Sequence, residues 1–237
     1  MADYKKTVIV DSMTNDEIIE LLRDDFVFLQ HKIDENLRKY KQMVKNSVKK
    51  ERVYYQPLNY KSAKGFHYML QFFKRADDEP DKDKLGMIYY VWFIKNRGTY
   101  AVTLSRLSLY GHAEWHYTIY TPHFFDRYRE RFLKDMSISK PDVIYRFILG
   151  NLKMSTSGNP SEKYPNGIWV ACSDGLCLCN HLNSINQEAK TFITYDMAGV
   201  DQKVFAYNAQ QVLLKRGFDL RLPDEDFEEY IKEDFED

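Results

Sequence analysis

From residue 14 onward the apolar positions fall on a single helical stripe. Ile18, Leu22, Phe26, Leu29, Ile33, Leu37, Tyr40, Val44 and Val48 are separated by steps of three and four. That spacing returns to one face of an α-helix and cannot belong to a strand. Thr14-Asn15-Asp16-Glu17 precedes it as a capping box, with Thr at the N-cap and Glu at the third helical position. An uninterrupted helix here spans about 50 Å, with a break near residues 24–28 as the alternative. Its stripe suits a core or a partner-helix seam better than a ligand surface.

After residue 52 the pattern changes to short aromatic and β-branched runs. Val53–Tyr55, Phe66–Phe73, Met87–Ile94, Tyr100–Leu104 and Trp115–Tyr120 predict an antiparallel meander. Asn96-Arg97-Gly98 is expected as a hairpin turn in which Gly takes the positive φ. Helices are predicted over 123–133 and 141–152, then a polar loop over 155–167. Strands follow at Ile168–Cys172 and Leu176–Cys179, around the turn Ser173-Asp174-Gly175, and at Thr191–Tyr195 and Lys203–Tyr207. Ala209–Lys215 is expected as a short helix stopped at Gly217. The predicted class is α+β: an antiparallel sheet with helices on one face, preceded by a long N-terminal helix. The expected division is an arm (1–52), a core domain (53–218) and an acidic tail (219–237).

Composition narrows the functional classes. The chain has 237 residues with 34 Lys plus Arg against 35 Asp plus Glu, so no global charge speaks for nucleic acid. The charge is uneven, however. Residues 32–52 hold eight basic and three acidic side chains, and residues 219–237 hold two basic and ten acidic. Such runs usually solvate a surface, but they also suit a polyanion and an intramolecular cover. No apolar run reaches the roughly 18 residues that cross a bilayer, and no signal peptide is read at the start. Three cysteines make no disulfide framework. A cytoplasmic setting without membrane is expected.

The richest chemistry lies in Tyr120-Thr-Pro-His-Phe-Phe-Asp-Arg-Tyr-Arg-Glu-Arg-Phe132. Thr121 is a natural N-cap and Pro122 suits the first helical position. At about 100° per residue Phe124, Phe125, Tyr128 and Phe132 form the buried face. His123, Arg127, Glu130, Arg131 and Lys134 run along the other. A His in the first turn is kept neutral by the helix dipole, and Arg127 and Arg131 would clamp phosphate. A neutral base with a phosphate clamp is what metal-free RNA cleavage needs. An ordinary amphipathic helix with pairs such as Asp126–Arg129 is the plainer alternative.

The series His123-x3-Arg127-x3-Arg131, the helix entered through Ser139-Lys-Pro-Asp142, then Trp169–Gly175 and Thr191–Tyr195 resembles the barnase–EndoU–colicin–RelE group of small ribonucleases, in its phage- and toxin-associated branch. The resemblance covers about residues 121–207. It implies an endoribonuclease with His123, Arg127, Arg131 and Thr194 catalytic, and RNA as substrate. Thr191, Lys134 and His116 would be substrate contacts, His116 sharing a strand face with Thr118 and Tyr120. The other reading is a non-catalytic interaction or scaffold protein that binds a partner, or a second copy, through the 14–50 helix.

Cys172, Cys177, Cys179 and His181 sit close enough in sequence for zinc, but the spacing fits no standard knuckle. Small buried cysteines in a central strand are expected instead, and His112 and His116 are not expected to hold a metal. There is no phosphate-binding Gly loop, dinucleotide fingerprint or nucleophile elbow, so no cofactor is expected.

Overall fold

The structure, a computed structural model, describes residues 8–77, 84–109, 112–152, 154–158, 165–183, 186–215, 220 and 222. The chain forms two compact units, residues 1–103 and 104–237. The class is α+β, with a long N-terminal helix and mostly antiparallel strands.

In the first unit α1 runs unbroken from Asn15 to Lys45. Both halves of the capping box form: the Glu17 amide donates to Thr14 Oγ1, and the Thr14 amide to Glu17 Oε2 at 2.7 Å. The strands are β1 (Val53–Tyr54), β2 (Leu58–Lys61), β3 (His67–Lys74), β4 (Leu85–Lys95) and β5 (Gly98–Leu109), the last of which continues past Thr103 into the second unit. They pair in the order β1-β3-β4-β5, with β2 also on β3. Only β2 was not foreseen. α1 packs on β3 and β4, where Tyr40 stacks on Phe72 at 4.3 Å and Phe28 meets Tyr68 at 5.7 Å. The helix expected as a separate arm ending at residue 52 is therefore grouped with the strands it covers, and the compact units part beyond Thr103. The β4–β5 turn corrects another expectation. Asn96 and Arg97, not Gly98, take positive φ (49° and 60°). Two left-handed residues make the two-residue turn that matches strand twist, and the Asn96 amide is held by Asp11 Oδ1 at 2.6 Å.

The second unit contains β6 (His112–Tyr120), α2 (Pro122–Tyr128), α3 (Lys140–Gly150), β7 (Met154–Gly158), β8 (Gly167–Cys172), β9 (Gly175–His181), β10 (Gln187–Ile193) and α4 (Val200–Leu214). The strand order is β6-β10-β9-β8-β7. β10 and β6 are parallel, and the other pairs antiparallel. On one face Phe124, Phe125 and Tyr128 of α2 pack with Tyr120, Phe147 and Phe192. Each buried Phe contributes about 1.5–3 kcal/mol. On the other face α4 covers Ala171, Leu176 and Ile193 through Ala206, Ala209 and Leu213, a helical layer beyond the one expected.

Two segments differ from expectation. Val200–Leu214 is one helix, where a strand at 203–207 and a short helix were expected. Ala206 and Ala209 are small enough for close approach to the sheet, and the Gln202 side chain accepts from the Gly199 amide at 3.0 Å to start the helix. Its end is at Leu214; Gly217 lies outside the described residues. Within the loop expected at 155–167, β7 forms an edge strand on β8. The β8–β9 turn is Ser173-Asp174, pairing Cys172 with Gly175, and Cys177 stands opposite Val170. Gly175 has φ +152°, and a Cβ there would lie 2.3 Å from the Ile193 carbonyl oxygen, which excludes any other residue.

Candidate functional site

α2 begins as its sequence dictates. Thr121 Oγ1 accepts from the Phe124 amide at 3.2 Å, and Pro122 takes the first turn. After Tyr128 the helix widens into a π turn, Arg129–Leu133. A turn closed by i→i+5 bonds advances less than 100° per residue, so the face predicted for a regular helix drifts. Phe124, Phe125 and Tyr128 are buried, whereas Phe132, expected with them, is 39% exposed and stacks on Tyr128.

The cations of this helix are largely engaged. Arg127 donates to Glu130 at 2.6 Å and, through Nε, to His123 Nε2 at 3.4 Å. His123 itself is exposed. Arg129 pairs with Asp126 at 3.2 Å, as the plainer reading had it, and donates to the Ile138 carbonyl at 3.0 Å. Lys140 reaches the same Asp126. Arg131 was expected on a phosphate, but its guanidinium donates to the Phe192 carbonyl oxygen. Lys134 is exposed and caps the π turn with φ 52°.

The threonines divide. Thr191 pairs with Leu178 and Ile193 with Leu176, on the face that α4 covers. Phe192 between them faces α2. Thr191 is thus turned away from His123 by strand alternation. Thr194 lies past the end of β10, extended and partly buried, at the start of a 3₁₀ turn (Tyr195–Met197). Its Cα approaches Gly175, placing it beside the β8–β9 turn, to which Tyr128 also reaches. Tyr128 is five residues, about 7.5 Å of helix, beyond His123. His116 is four residues, about 13 Å of strand, before Tyr120. Burial holds its imidazole below the ordinary range.

The polar cluster that α2 does assemble was not foreseen. Tyr128 Oη and Asn151 Nδ2 both donate to Asp174 Oδ2 at 2.7 Å, and the Asp174 amide donates to Asn151 Oδ1 at 3.0 Å. Burial first, then the bond to Asp174, raises the Tyr128 phenol well above its usual range. This cluster ties α2, the end of α3 and the β8–β9 turn together. A tyrosine on an otherwise phenylalanine face was the signal, since a buried hydroxyl needs an acceptor. Cys172, Cys177 and Cys179 are buried free thiols, with Cys172 and Cys177 Sγ 4.0 Å apart, and burial raises Cys177 and Cys179.

The C-terminal half of α1 is the opposite case. From residue 37 to 52 seven cations face one carboxylate, Glu51. Among the described residues Arg38, Lys41, Lys45 and Lys49 form no ion pair. Leu37, Arg38, Lys41 and Lys45 line a shallow groove along the helix, with Asp34 and Gln42. Met43 is 40% exposed and Val44 half-buried, while Val48, beyond the helix end, is 94% exposed. Beyond Tyr40 the inward stripe is therefore incompletely covered.

No protein-family model, curated protein or solved structure matches the chain. Among the described residues no helix is long and apolar enough to cross a membrane.

Proposed function

We propose that this chain is a protein-binding module whose contact surface is the C-terminal half of α1, and whose partner is an acidic polypeptide with apolar anchors. The supporting observation is the coincidence on one helix of unpaired Arg38, Lys41 and Lys45, with Lys49 just beyond its end, and incompletely covered Leu37, Met43 and Val44. Cations attract and orient an acidic partner, and apolar side chains removed from water supply the non-directional part of the affinity. The apolar groups on this helix surface are aliphatic; single-stranded nucleic acid is held by stacking on aromatic rings. A fluorescent peptide with Glu on one helical face and Leu on the other is the direct test. It should bind the whole protein, more weakly as salt rises. The pair Lys41→Glu and Lys45→Glu should weaken it about tenfold, as two interface charges of about 0.7 kcal/mol each would. Equal binding by that variant, or stronger binding of an oligouridylate of similar length, defeats the reading.

One observation favours the nuclease reading as a second: His123 is exposed, with the Arg127 guanidinium beside it. Arg131 and Thr191 have no part in such a site as they stand, which leaves His123, Arg127 and Thr194. If this pair cleaves RNA, His123→Ala lowers the rate about 10²–10⁴-fold, and products end in cyclic phosphate. Absence of cleavage by the unaltered chain across a panel of RNAs removes this reading.

A further inference from the structure

The sequence contains a segment of the chemistry that α1 lacks. Its last fourteen residues, Asp224–Asp237, carry nine carboxylates and one cation, Lys232. Phe227, Tyr230, Ile231 and Phe235 recur at three- and four-residue steps among them. That is the pattern of an acidic amphipathic helix, the inverse of the cationic helix face with its exposed aliphatic groups. The chain is last seen anchored at Leu220, buried against α4 with its amide held by Gln210 Oε1 at 2.7 Å, and at Leu222. The fifteen residues that follow lie outside the described residues.

We infer that the α1 surface of one chain takes the segment 224–237 of a second chain, joining copies head to tail through charge complementarity and four apolar anchors. The inference rests on α1 as the binding surface and names the occupant. It also explains why the contact would not be α1 on α1: two such surfaces face to face would set seven cations against seven and repel.

Sedimentation velocity on full-length chains separates the possibilities. The unaltered protein should associate as concentration rises and dissociate in high salt. The variant K41E/K45E should associate more weakly than the unaltered protein, as should a second variant, E228K/E229K/E233K. Neither set of positions contributes to a buried core among the described residues, and circular dichroism checks that both variants fold. Mixed, the two variants should associate again. The native α1 surface of one variant then meets the native segment of the other. A protein that is monomeric at every concentration and salt overturns the inference, as does association unchanged by either variant or a mixture that stays monomeric. The acidic-peptide experiment is scored apart: peptide binding without self-association keeps α1 as a binding surface and rejects only this occupant.

Discussion

Two helices of this protein carry the same kinds of side chain and use them in opposite ways. On α2 and its π turn the arginines are spent inside the molecule, on Glu130, Asp126 and the carbonyls of Ile138 and Phe192. On the second half of α1 and just beyond it, Arg38, Lys41, Lys45 and Lys49 have no ionic partner among the described residues. A helix whose charges complete local hydrogen bonding has little left for a ligand, whereas unpaired charges beside exposed apolar groups do. Helical spacing gives the pairs Asp126–Arg129 and Arg127–Glu130 but not the acceptor of Arg131, which lies on a strand remote in sequence.

The comparison can be tested by removing side chains from each helix. Phe124→Ala, at a fully buried position ringed by Tyr120, Phe125, Phe147 and Phe192, should cost about 3–5 kcal/mol, read as a loss of denaturant midpoint. Arg131→Ala should cost about 1–3 kcal/mol, because it strips a charged donor from the Phe192 carbonyl. A change below about 0.3 kcal/mol would mean that this arginine is as free as those of α1. Tyr128→Phe should fall in the same range, since it removes the hydroxyl from Asp174. Lys45→Ala, by contrast, should move stability by no more than about 0.5 kcal/mol while weakening acidic-peptide binding.

The smallest effect concerns pH. His116 is lowered by burial, and His67 by burial first and then by Lys61. A histidine whose folded pKa is depressed binds fewer protons in the fold than in the unfolded chain. Stability is therefore fully present above about pH 6.5, the unfolded value, and is lost as pH falls toward the folded values. Proton NMR should show both imidazoles titrating below the ordinary value, and a midpoint above it for either would contradict the packing around that ring.

What could be read from sequence was whatever local periodicity decides. The continuous α1, its capping box, the entry to α2 and the β3–β4–β5 meander all follow from spacing and cap chemistry. The α4 helix was legible as well, in Ala206, Ala209 and Leu213 at three- and four-residue steps, but the β-branched and aromatic Val204, Phe205 and Tyr207 gave a stronger and misleading strand signal. The π turn and the parallel pairing of β10 with β6 were not legible, because both depend on contacts across the fold. At the candidate site the sequence located an exposed His–Arg pair. It did not reveal that Arg131 would bond a strand carbonyl, or that a β-bulge between Ala189 and Thr191 would set which side of the sheet Thr191 faces.

Asp25 has a consequence for α1 as a whole. It sits in the middle of the buried stripe, 6% exposed, and accepts a 2.7 Å bond from Tyr68 Oη. A purely aliphatic stripe with repeating steps of three and four could slide one turn along the strands and still bury most of its side chains. A carboxylate with one acceptable partner cannot, because any slip leaves it stranded among hydrocarbon. Asp25 therefore works as a key in a keyway, fixing both the rotation and the axial position of a 31-residue helix. The direction in which Arg38, Lys41 and Lys45 point, about four to six turns further on, follows from that fixed rotation.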